Sequence, residues 1–150
     1  MDTRSAIGHL TRSIKIISGE DSGWGYSLVG YGFNDGSKLR TGKLTLQGVE
    51  LYEGGQYDSE KTSLKMVNMI GSDENYITGS SIHECKSYCM DISNSKNLFI
   101  SQNVFYNGRL FHVRALDVTN YQFHENLMIT VTERPTLSAK ELIACYGSWE

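Results

Sequence analysis

Ile77-Thr78-Gly79-Ser80-Ser81-Ile82-His83-Glu84-Cys85 reads as a short strand, a corner and a second short strand. The stretches Leu46 to Gly54, Ile100 to Gly108 and Val118 to Asn126 carry the same pattern. Each has an apolar residue, a turn-tolerant or polar residue two places on, a second apolar residue five places on, then Tyr or His, then Glu or Asn. Equivalent positions fall 31, 23 and 18 residues apart. Gly48, Gly79, Gln102 and Asn120 take the corners: glycine adopts positive φ without steric cost, asparagine tolerates it, and Gln102 fits least well. Repetition at coil-like intervals predicts an all-β, right-handed parallel β-helix, a solenoid of several coils without major helices. Leu46, Ile77, Ile100 and Val118 then stack in one inward column, and Leu51, Ile82, Phe105 and Phe123 in another. Burying each such side chain contributes roughly 1.5–3 kcal/mol.

Working outward, Leu64 to Met69, Met90 to Ile92 and Phe111 to Val113 supply the third strand of each coil. The polar run Gly54 to Thr62 is a looped-out insertion in the longest interval. Upstream, Ser13 to Ile17 and Ser27 to Tyr31 are earlier strands separated by the glycine-rich turn Asp21 to Gly25. Ser138 to Cys145 suits either a short helix or a strand. The competing fold is a β-sandwich, which more often shows strict alternation and hairpin dipeptides. Both ends of the solenoid, at Ser13 to Ile17 and near Leu142 to Tyr146, leave bare strand edges without a capping helix. Such edges invite pairing. The chain is therefore expected to belong to a longer polypeptide, or to meet adjoining domains or subunits end to end.

Composition narrows the function. Fourteen Lys and Arg against seventeen Asp and Glu give a net charge of −3, scattered along the chain. That distribution argues against nucleic acid as a partner, because phosphate binding needs a concentrated basic face. No apolar run is long enough for a transmembrane segment, and the start of the chain lacks the pattern of a signal peptide. No phosphate loop, dinucleotide fingerprint or serine-protease signature is present, and no cofactor is expected. Of three cysteines, Cys85 and Cys89 can close a small disulfide loop or remain as two thiols, one of them in the core.

If the register holds, Tyr52, His83, Tyr106 and His124 form one row, and Glu53, Glu84, Asn107 and Glu125 the next. Such a ridge suits a sugar through stacking and hydrogen bonds; its plainer reading is an exposed ladder of strand-forming and solvated residues. His83 and His124 would stand two coils apart, roughly 10 Å, too far to share a metal ion. Asp117 with Glu125, or Glu84 with Asp91, are candidate carboxylate pairs for glycoside hydrolysis, but nothing sets their separation. A lyase would need basic residues to neutralise a uronate, and Lys86, Arg109 and Arg114 are the local candidates for that role.

Two stretches resemble the fibrocystin family, large extracellular proteins that pair a G8 domain with parallel β-helix repeats. Met1 to Ile16 is similar to the passage from the end of a G8 domain into the solenoid, with Leu10-Thr11-Arg12-Ser13-Ile14 where the family has Leu-Thr-Arg-Asn-Ile. Gly42 to Glu50, Gly55-Gln56, Tyr76 to Glu84 and Asn97 to Phe105 match the order of its strand, insertion and repeat region. Ser13 in place of Asn, and His9 at a usually aliphatic position, depart from the pattern. The resemblance implies that residues 1–12 are the tail of a G8-like domain and residues 13–150 the repeats. It also implies an extracellular or cell-surface setting, the ciliary membrane included. The expected role is a structural or receptor-like module that presents a side face to a protein or glycan. The alternative is a polysaccharide-cleaving domain, since relatives in the wider group are linked to hyaluronan breakdown.

Overall fold

The structure, a computed structural model, describes residues 8–19, 23–130 and 143–146. Thirteen strands are present among them and no helix: β1 (Ile14–Ile17), β2 (Leu28–Asn34), β3 (Leu39–Thr41), β4 (Thr45–Gln47), β5 (Val49–Tyr52), β6 (Leu64–Val67), β7 (Asn75–Thr78), β8 (Ser81–His83), β9 (Met90–Ser101), β10 (Val104–Tyr106), β11 (Val113–His124), β12 (Leu127–Ile129) and β13 (Ile143–Tyr146). No described helix is long and apolar enough to cross a membrane.

The strands stack in three walls. The first is β1-β5-β8-β10-β12. The second joins β2, β6 and the first halves of β9 and β11, with β13 beyond. The third joins β4, β7 and the second halves of β9 and β11. Every strand pairing is parallel except that of β2 with β3, so the described strands form successive coils of curled sheet.

Each coil lays its apolar residues on those of the previous one. Leu51, Ile82 and Phe105 are fully buried in the first wall. Leu64, Met66, Met90 and Ile92 are buried in the second, and Ile77, Leu98 and Ile100 in the third. Together they make one continuous core.

The register corrects the repeat at its fourth unit. Leu46, Ile77, Ile100 and Phe123 are the partners in the third wall, and Phe105 pairs with Met128 in the first. The intervals are therefore 31, 23 and 23 residues, and Val118 lies beside Ser95 rather than Ile100. The cause is a likeness between two corners. Ile82-His83-Glu84 and Phe123-His124-Glu125 both end a strand in a residue of positive φ, at Glu84 and Glu125, but they close different walls.

The true corner row is Gly48, Gly79, Gln102 and Glu125, with φ of 63°, 58°, 56° and 55°. Asn120 also has positive φ, but it sits within β11 beside Asn97, to whose side chain it donates a hydrogen bond of 2.6 Å. Side chains just after this corner lock the register. Asn103 Oδ1 accepts from Ser80 N at 3.0 Å and Asn126 Oδ1 from Asn103 N at 3.0 Å. Their amide groups donate to Ile77 O and Ile100 O, both at 2.8 Å. Asn103 is buried, so these bonds satisfy polar groups that water does not reach.

The hairpin β2–β3 was not foreseen from sequence. Its turn is closed by Asp35, which accepts from the Ser37 hydroxyl and from Ser37 N and Lys38 N, while pairing with Arg40. The Ser37 hydroxyl first, then these backbone donors and Arg40, hold the Asp35 carboxyl well below the ordinary range. Of the end segments named from sequence, Ile143–Tyr146 is a strand, whereas residues 1–7 and 138–142 lie outside the described residues.

Candidate functional site

The expected ridge is only partly assembled. Tyr52, His83 and Tyr106 are register partners along the first wall, and the fourth place belongs to Ile129, not His124. Tyr52 and His83 rings lie 5.0 Å apart, tilted. Glu53, Glu84 and Asn107 follow them, all with positive φ, and Asn107 Nδ2 donates to Glu84 at 2.7 Å. His124 pairs instead with Ser101, and Glu125 accepts from Gln102 at 2.9 Å, at another corner.

His83 is also buried rather than displayed. The segment from Gly8 to Arg12 runs over the first wall, where Ser81 Oγ donates to Leu10 O and Arg12 Nε to Gly79 O. Arg12 N donates to the buried Glu50 at 3.0 Å, and Lys15 pairs with the same carboxylate oxygen at 3.0 Å. Burial raises the Glu50 pKa, but Arg12 and Lys15 more than offset it and leave the carboxyl below its ordinary range. Burial pushes the His83 imidazole down, with Glu50 opposing. His83 Nε2 lies 3.3 Å from Glu50 Oε1, out of hydrogen-bonding alignment. This part of the row thus lies under the amino-terminal segment.

The carboxylate pairs are no better placed for joint chemistry. Glu84 ends a strand of the first wall, while Asp91 lies in the second and is gripped by Arg114 through two bonds of 2.9 Å. Asp117 lies within β11 between the second and third walls, away from the Glu125 corner. Among the described residues no group of three His, Cys, Asp or Glu is arranged to hold a metal ion.

A different group forms at the turn between the first and second walls, where three loops converge: the insertion at 54–62, the segment Cys85 to Cys89 and the turn at 107–112. The insertion packs inward through Gly54, where an added Cβ would stand 2.6 Å from Ser63 Oγ and 2.7 Å from Tyr26 Cζ. Cys85 and Cys89 are joined in a disulfide, with their Cα atoms 5.2 Å apart. The loop they close ties its neighbours together. Lys86 N donates to Gly54 O at 2.8 Å, Ser87 Oγ to Ser59 O at 2.9 Å, and Arg109 N to Cys85 O at 2.9 Å.

Between these loops lies a cleft of about 260 Å³ lined by Asp58, Ser59, Glu60, Lys86, Arg109 and Leu110. On the loops beside it, cations lie against aromatic rings. Arg109 lies 4.7 Å over the Tyr57 ring, Lys86 5.8 Å from the same ring, and Lys61 5.7 Å over Trp24. Trp24 is 62% exposed and Tyr57 42%. Arg114, 4.2 Å over Tyr88, joins the buried Asp91 to Glu60, and its bond to Asp91 raises its pKa further.

Sequence had singled out Lys86, Arg109 and Arg114 as the local cations, and the structure sets all three around these loops. It had not singled out Trp24, Tyr57 or Lys61. The signal for them was the presence of Trp24 and Tyr57 in the two glycine-rich stretches without apolar period, where an aromatic has no core position to fill.

The family model described as CEMIP beta-helix matches residues 37–146, which contain Tyr57, Lys86, Arg109 and most of the stacked coils. No curated protein and no solved structure matches the chain.

Proposed function

The chain belongs to the CEMIP beta-helix family, and on that premise we propose that it is the β-helix module of an extracellular or cell-surface protein that handles hyaluronan. Its part is to bind the polysaccharide at the cleft. The coils wind right-handed in this reading, because a crossover between parallel strands is right-handed in about 98% of cases. A G8-like domain precedes the repeats in the same reading.

The observation that carries the proposal is the pairing of exposed rings with cations on the loops beside the cleft. Sugars present flat C–H faces to aromatic rings, and uronate carboxylates call for arginine or lysine; Trp24, Tyr57, Lys61 and Arg109 offer both. Binding is favoured over cleavage because hydrolysis calls for a pair of carboxylates, and of the two in the cleft Glu60 is tied to Arg114, which is itself anchored by Asp91. Asp58 is 3.0 Å from Arg109 and Glu60 2.6 Å from Arg114.

The test is calorimetric titration with hyaluronan oligosaccharides, alongside electrophoretic sizing of long hyaluronan. The expected result is saturable binding, weakened roughly tenfold by Tyr57→Ala or Arg109→Ala, on the scale of one good aromatic or charged contact. Long chains should keep their size. Absence of binding refutes the proposal, and shortening of the chains would make cleavage the module's role instead.

A further inference from the structure

Lys86 is a cation whose side chain is only 3% exposed, set in the wall of the cleft. Withdrawing an ammonium from water is costly unless its charge and its donors are matched. Of its three donors, one reaches Trp24 O at 3.3 Å. Among the described residues the closest carboxylate oxygen, on Glu53, stands 4.0 Å away, beyond hydrogen-bonding distance. The Tyr57 ring supplies a weak offset at 5.8 Å. Arg109 lines the same cleft and is met there by Asp58, whose side chain is 84% exposed on the insertion.

We propose that Lys86 and Arg109 form a subsite for one carboxylate of an acidic sugar, that Asp58 occupies Arg109 in place of that carboxylate when the cleft is empty, and that the Cys85–Cys89 disulfide positions Lys86. The subsite rests on the reading of the cleft as a glycan site. Asp58 is suited to a stand-in because it is a carboxylate on an exposed loop and an exposed ion pair is cheap to exchange. The disulfide is suited to positioning because Lys86 is the first residue of the small loop it closes. Both cysteines are buried, at 2% and 0% exposure. The main chain of Lys86 is anchored to Gly54 and that of Cys85 to Arg109, so the clip aligns the ammonium with both sides of the cleft.

The experiment titrates the whole chain with a hyaluronan tetrasaccharide, which carries carboxylates, and with chitotetraose, which carries none. Lys86→Gln should weaken tetrasaccharide binding by about tenfold or more, the scale of a hydrogen bond to a charged group. Asp58→Asn, at an exposed site that does not threaten folding, should tighten it by about threefold, the scale of an exposed ion pair. Each change should act more strongly on the tetrasaccharide than on chitotetraose, so that the ratio of the two affinities shifts. Unchanged or weakened tetrasaccharide binding in Asp58→Asn overturns the stand-in and the subsite with it, while wild-type binding leaves the glycan reading in place.

If the wild-type chain binds no tetrasaccharide, the glycan reading fails and the subsite is decided by free glucuronate. Slower modification of Arg109 by phenylglyoxal in its presence supports an anion site, and an unchanged rate overturns it. The clip is read without any glycan. Lys86 should be acylated at least about tenfold faster in Cys85→Ser/Cys89→Ser than in the wild type, as expected when a buried side chain gains access to solvent. An equal rate removes the disulfide from the proposal.

Discussion

In the walls, a residue bonds to its counterpart one coil on. Ser80 and Asn103 each donate a backbone N–H to the asparagine side chain one coil on, and at the other corners Asn94 and Asn120 donate side-chain amides back to Asn68 and Asn97. In the loop cluster around the cleft no contact repeats. A disulfide, an ion pair of Arg109 with Asp58, one cation over Trp24 and two against Tyr57 are unlike one another, and none is passed on to the next coil. The difference teaches that the two regions answer separate demands. A coil must reproduce its neighbour so that the next coil can stack on it. A loop looped out of that register is free to carry unlike groups, and recognition is built there.

The largest effect should come from breaking the walls. Phe105 is completely buried between Ile82 and Met128, so Phe105→Ala should cost about 3–5 kcal/mol in denaturant unfolding and weaken the cleft only by unfolding the molecule. Asn103→Ala removes the partner of Ser80 N and Ile77 O in a dry corner. A loss of about 2–6 kcal/mol is expected, at 1–3 kcal/mol for each of the two buried polar groups left bare. A loss no larger than that of an exposed asparagine would show that the ladder does not hold the register.

Breaking the loop cluster should cost less. Cys85→Ser/Cys89→Ser opens only a very short loop, for which chain entropy gives about 2 kcal/mol, measured by the same unfolding. The walls should keep their circular dichroism. If that spectrum collapses, the disulfide supports the coils as well as the cleft.

The smallest effect separates the strap over the first wall from both regions. The Glu50 pKa is lower in the folded chain than its ordinary 4.5. The stability it contributes is complete above that value and lost as pH falls through the lower, folded value. Glu50→Gln should therefore flatten the fall in melting temperature between pH 5 and pH 3, and identical profiles would remove Glu50 as the anchor of Arg12 and Lys15.

Several elements were legible because they depend on residues close in sequence. The segments Ser13 to Ile17 and Leu64 to Met69 each contain a described strand, Ser27 to Tyr31 covers the start of one that runs on to Asn34, and the corners at Gly48 and Gly79 have the positive φ that glycine admits. The fourth unit failed because Phe123-His124-Glu125 imitates Ile82-His83-Glu84 at a different corner. The amide ladder that distinguishes them, Asn103 with Asn126, is visible only when pairs 23 residues apart are compared.

By itself, then, the sequence determined that this chain folds into short stacked strands with small or amide residues at the corners, because steric and hydrophobic preferences act on each short stretch. It also named the cations Lys86, Arg109 and Arg114. Only the tertiary structure decided which corner each strand closes, that the amino-terminal segment covers His83, and that Trp24, Tyr57 and Lys61 join those cations. Such groupings depend on contacts between residues 23 or more positions apart, as from Trp24 to Lys86 or Asp58 to Arg109, and no local preference encodes them.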